Sequence, residues 1–153
     1  MRAKEILFIL MICTTILGCG KIERFDIDTI LKQQALLAKK SGDTVSLNLC
    51  KIEAFKWDRI IIVSPYTPKK VIDNYKLVNG GFVKSTLLDT LGQERHSLLL
   101  FVDKDKVSRY GYASNDVIDF NYINDVNTIK TISKQNACKL SIKIASSLTK
   151  LYY

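Results

Sequence analysis

Few residues in this chain have the types and spacing that catalysis or metal binding requires. His96 is the only histidine, and no Gly-x-Ser-x-Gly element or second histidine accompanies it. Cys50 could in principle act as a nucleophile with His96 as its base, but nothing in the sequence brings the two together. Asp103 and Asp105 alternate with lysines and lack the glycine and distal glutamate of a calcium loop. The sequence therefore predicts no catalytic residue, no metal site and no cofactor, and His96 is interpreted as a solvated loop residue.

The start of the chain has the pattern of a membrane-targeting segment. It opens with Arg2 and Lys4, runs apolar over 6–17 and ends in Gly18-Cys19. A helix that spans a bilayer needs about 20 apolar residues, whereas the core of a signal peptide has about 7 to 15. The length of the apolar run therefore favours a signal peptide.

Ile16-Leu17-Gly18-Cys19 resembles the lipobox of bacterial lipoproteins. In that family a dedicated peptidase cleaves before the cysteine, whose thiol then carries the lipid. The resemblance implies a signal peptide at 1–18 and a lipidated N-terminus at Cys19. The rest of the chain has the usual length of one domain, so we expect a short tether up to residue 26 and a single domain at 27–153. An ordinary cleaved signal and an uncleaved anchor are the alternatives.

The chain is basic, with a formal net charge of +8. Removing residues 1–18 leaves about +7. An exported basic domain meets lipid head groups and cell-wall polymers rather than nucleic acid. We therefore expect the membrane as a partner through the lipid anchor, anionic lipid or a cell-wall polymer as a second, an unknown protein as a third, and no nucleic acid. In lipoproteins of bacteria with two membranes, Asp after the lipidated cysteine favours the inner membrane. Gly20 at that position implies the periplasmic face of the outer membrane.

Two cysteines, Cys50 and Cys138, remain in the mature domain once Cys13 is removed and Cys19 carries lipid. In an oxidising envelope they can form a disulfide. Closing a loop of about 88 residues would be worth roughly 4 to 5 kcal/mol on the chain-entropy model. Two separately buried free thiols are the alternative.

The hydrophobic patterns predict an α+β fold, with an antiparallel sheet of about four or five strands and one or two helices packed on it. A helix is predicted over 28–40, capped by Asp26 or Asp28 and ended by Gly42. Its apolar arc consists of Ile27, Ile30, Leu31, Leu37 and Ala38.

Strands are predicted over 45–49, over 60–63 as a central strand buried on both faces, and from Cys138 onward. A helix is the alternative for this last segment, because Leu140, Ile144, Leu148 and Leu151 also have helical spacing. A hairpin is predicted from strands 98–102 and 107–112 with a turn at 103–106. A short helix is expected to run from a cap at Thr67-Pro68 towards Tyr75, and Asn79-Gly80-Gly81 is interpreted as a break in the chain.

The densest local pattern is Phe55-Lys56-Trp57-Asp58-Arg59, the run 60–63, and then Pro65-Tyr66-Thr67-Pro68. It resembles a group of small uncharacterised bacterial lipoproteins in which a Trp-Asp pair precedes an aliphatic strand and a Pro-Tyr turn. That resemblance implies no activity or functional residue. On physical grounds we expect Trp57 to cap the core and Asp58 to accept hydrogen bonds from turn amides. A partner surface built from Trp57, Arg59 and Tyr66 is the alternative.

These observations favour a membrane-tethered, non-catalytic envelope lipoprotein that acts through binding or assembly. A periplasmic immunity or inhibitor lipoprotein that neutralises a toxin is the alternative. A hydrolase, the third class, would need His96 beside a nucleophile in a pocket.

Overall fold

The fold combines two β-sheets with short helices, and it is known from a computed structural model that describes residues 21–91, 95–118, 120, 129–145 and 148–152. The strands of this described part are β1 (Glu23–Arg24), β2 (Val45–Ser46), β3 (Arg59–Val63), β4 (His96–Asp103), β5 (Lys106–Ser114), β6 (Ile129–Ser133), β7 (Ser141–Ala145) and β8 (Leu148–Tyr152). The α-helices are α1 (Ile27–Ser41), α2 (Gly80–Phe82), α3 (Leu88–Leu91) and α4 (Lys134–Ala137). The predicted signal segment 1–18 and Cys19 lie outside the described residues.

The larger sheet has the strand order β1-β5-β4-β3-β6, and all its pairs are antiparallel except β1 with β5. A smaller antiparallel sheet has the order β2-β7-β8. The predicted α+β class with an antiparallel sheet is confirmed, as are the hairpin of β4 with β5 and a strand that follows Cys138. The smaller sheet, β1 and β6 were not predicted.

The central strand β3 is buried on both faces, as predicted, because it lies between β4 and β6. Ile60 and Ile62 point into one hydrophobic cluster, which we call the first core. Ile61 and Val63 point into the other, the second core. A β-branched run without polar alternation is what a strand needs when both of its faces are covered.

Helix α1 covers the first core and has the start and stop signals that its sequence predicts. The carboxylate of Asp26 accepts a hydrogen bond from the N–H of Thr29 at 3.2 Å, and hydrogen bonds from the hydroxyl and amide of Thr29 hold the pKa of Asp26 below its usual value. Gly42 ends the helix at φ 71°, a left-handed conformation that glycine adopts without strain.

The apolar face of α1 is narrower than its sequence predicts. Ile27, Leu31 and Ala38 are buried, but Leu37 is 52% exposed, as is its neighbour Leu36 at 58%. The placement of Leu37 on the buried arc is therefore wrong. The small residue Ala38 makes the contact with the core at that end of the helix instead.

The predicted strand over 45–49 stops at Ser46. Leu47 and Leu49 are buried as the alternation requires, but Asn48 adopts a left-handed conformation with φ 46°. The chain therefore turns into a 3₁₀ helix, Leu49–Lys51, instead of continuing the strand.

The second core is covered by a helical segment that was not predicted. Asn79-Gly80-Gly81 does not break the chain. It opens α2, which continues through a π-helical turn, Val83–Leu87, into α3. The residues of this segment that pack into the second core are Val83, Leu87, Leu88 and Leu91. The interpretation of the glycines as a break is therefore wrong, because packing of the apolar residues behind them supports the helix.

The predicted short helix before this segment exists as a 3₁₀ helix, Lys69–Tyr75, but its predicted cap does not. The hydroxyl of Thr67 donates to the carbonyl of Ser64 at 2.7 Å and so closes the turn that follows β3. Thr67 thus stabilises the exit from the central strand rather than the start of the helix.

The beginning of the described chain packs on the folded body, although it lies within the stretch 19–26 that is expected to be a tether. Ile22 is buried in the second core, and β1 adds to the edge of the sheet beside β5. The N–H of Phe25 also donates to the carbonyl of Tyr110 at 2.7 Å. Residues 22–25 are therefore held by the sheet, and Ile22, the third residue after Cys19, already belongs to the folded body.

Gly111 lets this edge pack closely against α1, and its substitution should be costly. A Cβ at Gly111 would lie 2.6 Å from Cγ2 of Ile27 and 2.7 Å from the carbonyl oxygen of Phe25. We expect Gly111→Ala to lower the free energy of unfolding by about 1 to 3 kcal/mol, because overpacking displaces backbone and core together. Urea unfolding of the wild type and the variant measures this difference in the free energy of unfolding. The matched control is Gly81→Ala, where a Cβ meets nothing within 4 Å. Equal midpoints for the two variants would contradict the close approach.

Candidate binding grooves

A groove of about 360 Å³ lies beside the start of the described chain, and we call it the N-terminal groove. Its walls come from four separate segments of the chain. The lining residues are Lys21, Ile22, Phe55, Lys56, Asn79, Asp103, Lys106, Val107, Ser108 and Arg109. Because these segments lie far apart in the chain, no local sequence pattern predicts the groove.

The pairing of β1 with β5 forms one wall of the N-terminal groove. Glu23 lies opposite Arg109 in the register, and its carboxylate accepts from the guanidinium at 2.7 Å. The same guanidinium lies 5.6 Å from the centroid of the Phe55 ring. Arg109 thus joins the first strand to the loop before β3, and Lys21 and Lys56 line the same groove.

Asn79 completes the groove by pairing with the backbone of Val107. Its side-chain nitrogen donates to the carbonyl of Val107, and its side-chain oxygen accepts from the N–H of Val107, both at 2.9 Å. A side-chain amide here takes the place of a neighbouring strand, since β1 pairs with β5 only at Arg109 and Tyr110. This satisfies the edge of β5 and fixes helix α2 beside it.

The N-terminal groove is strongly basic. Lys21, Lys56, Lys106 and Arg109 line it together with a single carboxylate, Asp103. The three lysines are exposed to solvent. Ammonium and guanidinium groups that converge from different segments form the kind of site that binds an anion such as a phosphate group.

A second, more open groove of about 570 Å³ lies over the disulfide, and we call it the disulfide groove. It is lined by Cys50, Trp57, Asp58, Ser133, Lys134, Gln135 and Cys138. Cys50 and Cys138 are joined there by a disulfide with Cα atoms 5.0 Å apart. The bond links the 3₁₀ helix after β2 to the turn after α4, and Cys138 is exposed.

Trp57 is a core residue whose edge faces the disulfide groove. It is 4% exposed, its Nε1 donates to the carbonyl of Ile52 at 2.9 Å, and its ring packs edge-on against Phe101. The ammonium of Lys134 lies 4.9 Å from the ring centroid. These contacts agree with the structural role expected for Trp57.

Asp58 makes the turn contact that the sequence predicts. Its carboxylate accepts from the N–H of Lys104, in the β4–β5 turn, at 2.6 Å and pairs with Arg59 at 2.9 Å. Lys104 has φ 57°, a left-handed conformation that this contact holds in place.

The three residues of the alternative partner surface do not come together. Trp57 is buried at the start of β3, where Arg59 pairs with Asp58. Tyr66 is 75% exposed, but it lies beyond the opposite end of β3. The surface of Trp57, Arg59 and Tyr66 is therefore not a continuous patch, because the full length of the central strand separates its members.

His96 is half-buried as the first residue of β4, so its interpretation as a solvated loop residue is wrong. It lies opposite Ser114, whose N–H donates to Asp28 at 3.0 Å. Cys50 is in the disulfide and therefore has no thiolate to act as a nucleophile with His96.

Among the described residues, no group of three His, Cys, Asp or Glu side chains could hold a metal ion. In that same part of the chain, no helix is both long and apolar enough to cross a bilayer. A scan against models of protein families and searches of curated proteins and of solved structures found no match to this chain.

The disulfide predicts the thiol content of the native protein. Native protein that is isolated without reductant and then denatured should give no titratable thiol from Cys50 or Cys138, and two after reduction. Replacing both residues with alanine should lower the free energy of unfolding by roughly 4 to 5 kcal/mol, because the unfolded chain regains the entropy of the closed loop. Two reactive groups before reduction, located by peptide mapping, would contradict the bond.

The carboxylate of Asp28 should make stability fall in acid. Burial raises the pKa of Asp28, but hydrogen bonds from Lys32 and from the N–H of Ser114, with the charges of Lys32 and His96, outweigh it and hold the pKa below its usual value. The stabilisation is therefore complete above the unfolded pKa of about 4 and is lost as the pH falls through the lower folded value. We expect Asp28→Asn to cost about 1 kcal/mol at neutral pH and to flatten this acid dependence. Urea unfolding at a series of pH values measures both the loss of stability and its dependence on pH.

The control for Asp28→Asn is Asp43→Asn, which removes an exposed carboxylate just after α1. It should leave the acid dependence close to that of the wild type. If both variants follow the wild-type curve, the hydrogen bonds of Asp28 do not contribute to stability.

Proposed function

We propose that this protein is a non-catalytic bacterial lipoprotein, anchored by lipid on Cys19, that acts in the envelope through binding or assembly. The lipobox-like Ile16-Leu17-Gly18-Cys19 supports the anchor. The lack of a nucleophile motif around the single histidine supports a role other than catalysis. Gly20 supports a location at the periplasmic face of the outer membrane.

The observation that carries a role at the membrane surface is how soon after Cys19 the folded body begins. Ile22 is already buried and β1 is already paired with β5. Two residues span at most about 7 Å, so a lipid on Cys19 would hold Lys21 at the level of the head groups. Such a protein acts at the membrane surface, and its binding partners are molecules found there.

Metabolic labelling with a fatty acid tests the anchor. We expect label on the wild-type protein and on Cys13→Ala, the matched control within the apolar run, but none on Cys19→Ala. Mass spectrometry should place the modified N-terminus at residue 19, and membrane fractionation should recover the labelled protein with the outer membrane.

Label that persists on Cys19→Ala would refute the proposed anchor, as would native protein that retains Met1. Recovery of labelled protein only with the inner membrane would leave the anchor in place and refute the proposed location.

A further inference from the structure

The N-terminal groove combines a strong positive charge with a position next to the proposed lipid anchor. Lys21 lines the groove and lies two residues after Cys19. Lys56 and Lys106 contribute two more ammonium groups, from the loop before β3 and from the start of β5. These lysines would therefore be the basic groups nearest to a bilayer that holds the anchor.

Arg109 has a different part in this groove from the lysines. Its guanidinium is paired with Glu23 and also donates to the carbonyl of Ser108 at 2.8 Å. These contacts hold the guanidinium in the wall of the groove, and the carboxylate of Glu23 offsets its charge. Asp103 opposes the charge of the lysines, so they exceed the remaining carboxylate by two.

An exposed apolar side chain flanks the groove at the same end of the molecule. Val78 is 71% exposed and immediately precedes Asn79, which lines the groove. Its N–H donates to the carbonyl of Asp105 in the β4–β5 turn at 2.9 Å, which fixes it beside Lys106. Basic groups around an exposed apolar residue are typical of surfaces that rest at the boundary between head groups and acyl chains.

We propose that the N-terminal groove binds the phosphate of an anionic lipid head group in the membrane that holds the anchor. This rests on the proposed function, because the lipid on Cys19 brings the groove to the bilayer. The lysines contact the phosphate, Val78 enters the boundary with the acyl chains, and the edge formed by β1 and β5 faces the membrane. Binding fixes the orientation of a domain that the anchor alone would leave free to rotate.

Lysine labelling on vesicles tests this orientation with the full lipidated protein. The protein is inserted into vesicles of phosphatidylcholine, with or without about a third of phosphatidylglycerol, and treated with an amine-reactive reagent. Mass spectrometry then measures modification of each lysine. We expect Lys21, Lys56 and Lys106 to react about fivefold more slowly on the anionic vesicles, with the protection lost at high salt.

The controls lie on another part of the surface. Lys39 and Lys40 are exposed at the end of α1, about 20 Å along the helix axis from its first residue. They should react equally on both kinds of vesicle. Residue 78 gives the readout once the groove lysines are replaced, because Val78 is exposed beside the groove and Cys50 and Cys138 are joined in the disulfide. In a Val78→Cys background, anionic vesicles should slow thiol labelling at residue 78, and Lys21→Gln/Lys56→Gln/Lys106→Gln should lose this protection. A variant of equal charge, Lys39→Gln/Lys40→Gln/Lys139→Gln, should keep it.

Four outcomes would overturn the proposal. Equal reactivity of the groove lysines on both vesicles would mean that the groove does not recognise anionic lipid. Equal loss of protection in the two triple variants would assign the effect to net charge. Protection by inorganic phosphate on neutral vesicles would indicate a site for a free anion. Protection on neutral vesicles that disappears on dilution of the protein would indicate a second copy in the groove.

The experiment separates this proposal from the proposed function. If Cys19 carries no lipid, the protein is released from neutral vesicles and the fatty-acid label is absent. If only the groove assignment fails, the label and the vesicle attachment persist while the lysines stay equally reactive.

Discussion

The burial of β3 on both faces is the constraint on which the rest of the structure depends. A strand with one apolar face has its register fixed by alternation, because a slip of one residue exposes the apolar side chains. The run 60–63 is apolar on both faces, so alternation alone cannot fix its register. Asp58 supplies that information. Its N–H donates to Val102, its carbonyl accepts from Lys134, and its carboxylate accepts from Lys104. One residue thus aligns the central strand with both of its neighbours.

Because β3 is buried on both faces, each face of the sheet needs its own covering element. Helix α1 covers the first core, and the helical segment 80–91 covers the second. Each cover is tied to β5, the strand next to β1 at the edge of the larger sheet. Gly111 admits α1 at close range, and Asn79 bonds both backbone groups of Val107. Between these two contacts, β1 pairs with β5 at Arg109 and Tyr110. The N-terminal groove lies beside this edge, where Asn79 at the start of the second cover meets β5 and the residues just before β1.

The predictable elements are those whose signals lie close together in the chain. Helix α1 has its cap, its first apolar turn and its terminal glycine within 26–42, and the β4–β5 hairpin has two apolar runs around a charged turn. The helical segment 80–91 was missed because Gly80-Gly81 outweighed a signal that was present. The apolar spacing of Val83, Leu87, Leu88 and Leu91 is helical, and packing on the second core overrides the low helix propensity of the glycines.

Local order along the chain was sufficient for the type of the main elements and for the double burial of β3, since each depends on residues within one short stretch. The targeting segment and the lipid attachment at Cys19 depend on local patterns of the same kind and stay predictions. The disulfide was limited to Cys50 and Cys138 by elimination, but their proximity required the fold. The addition of β1 to β5 and the convergence of lysines from separate segments also required it. These features arise from contacts between residues far apart in the chain, and the packing of two cores on one sheet brings those residues together.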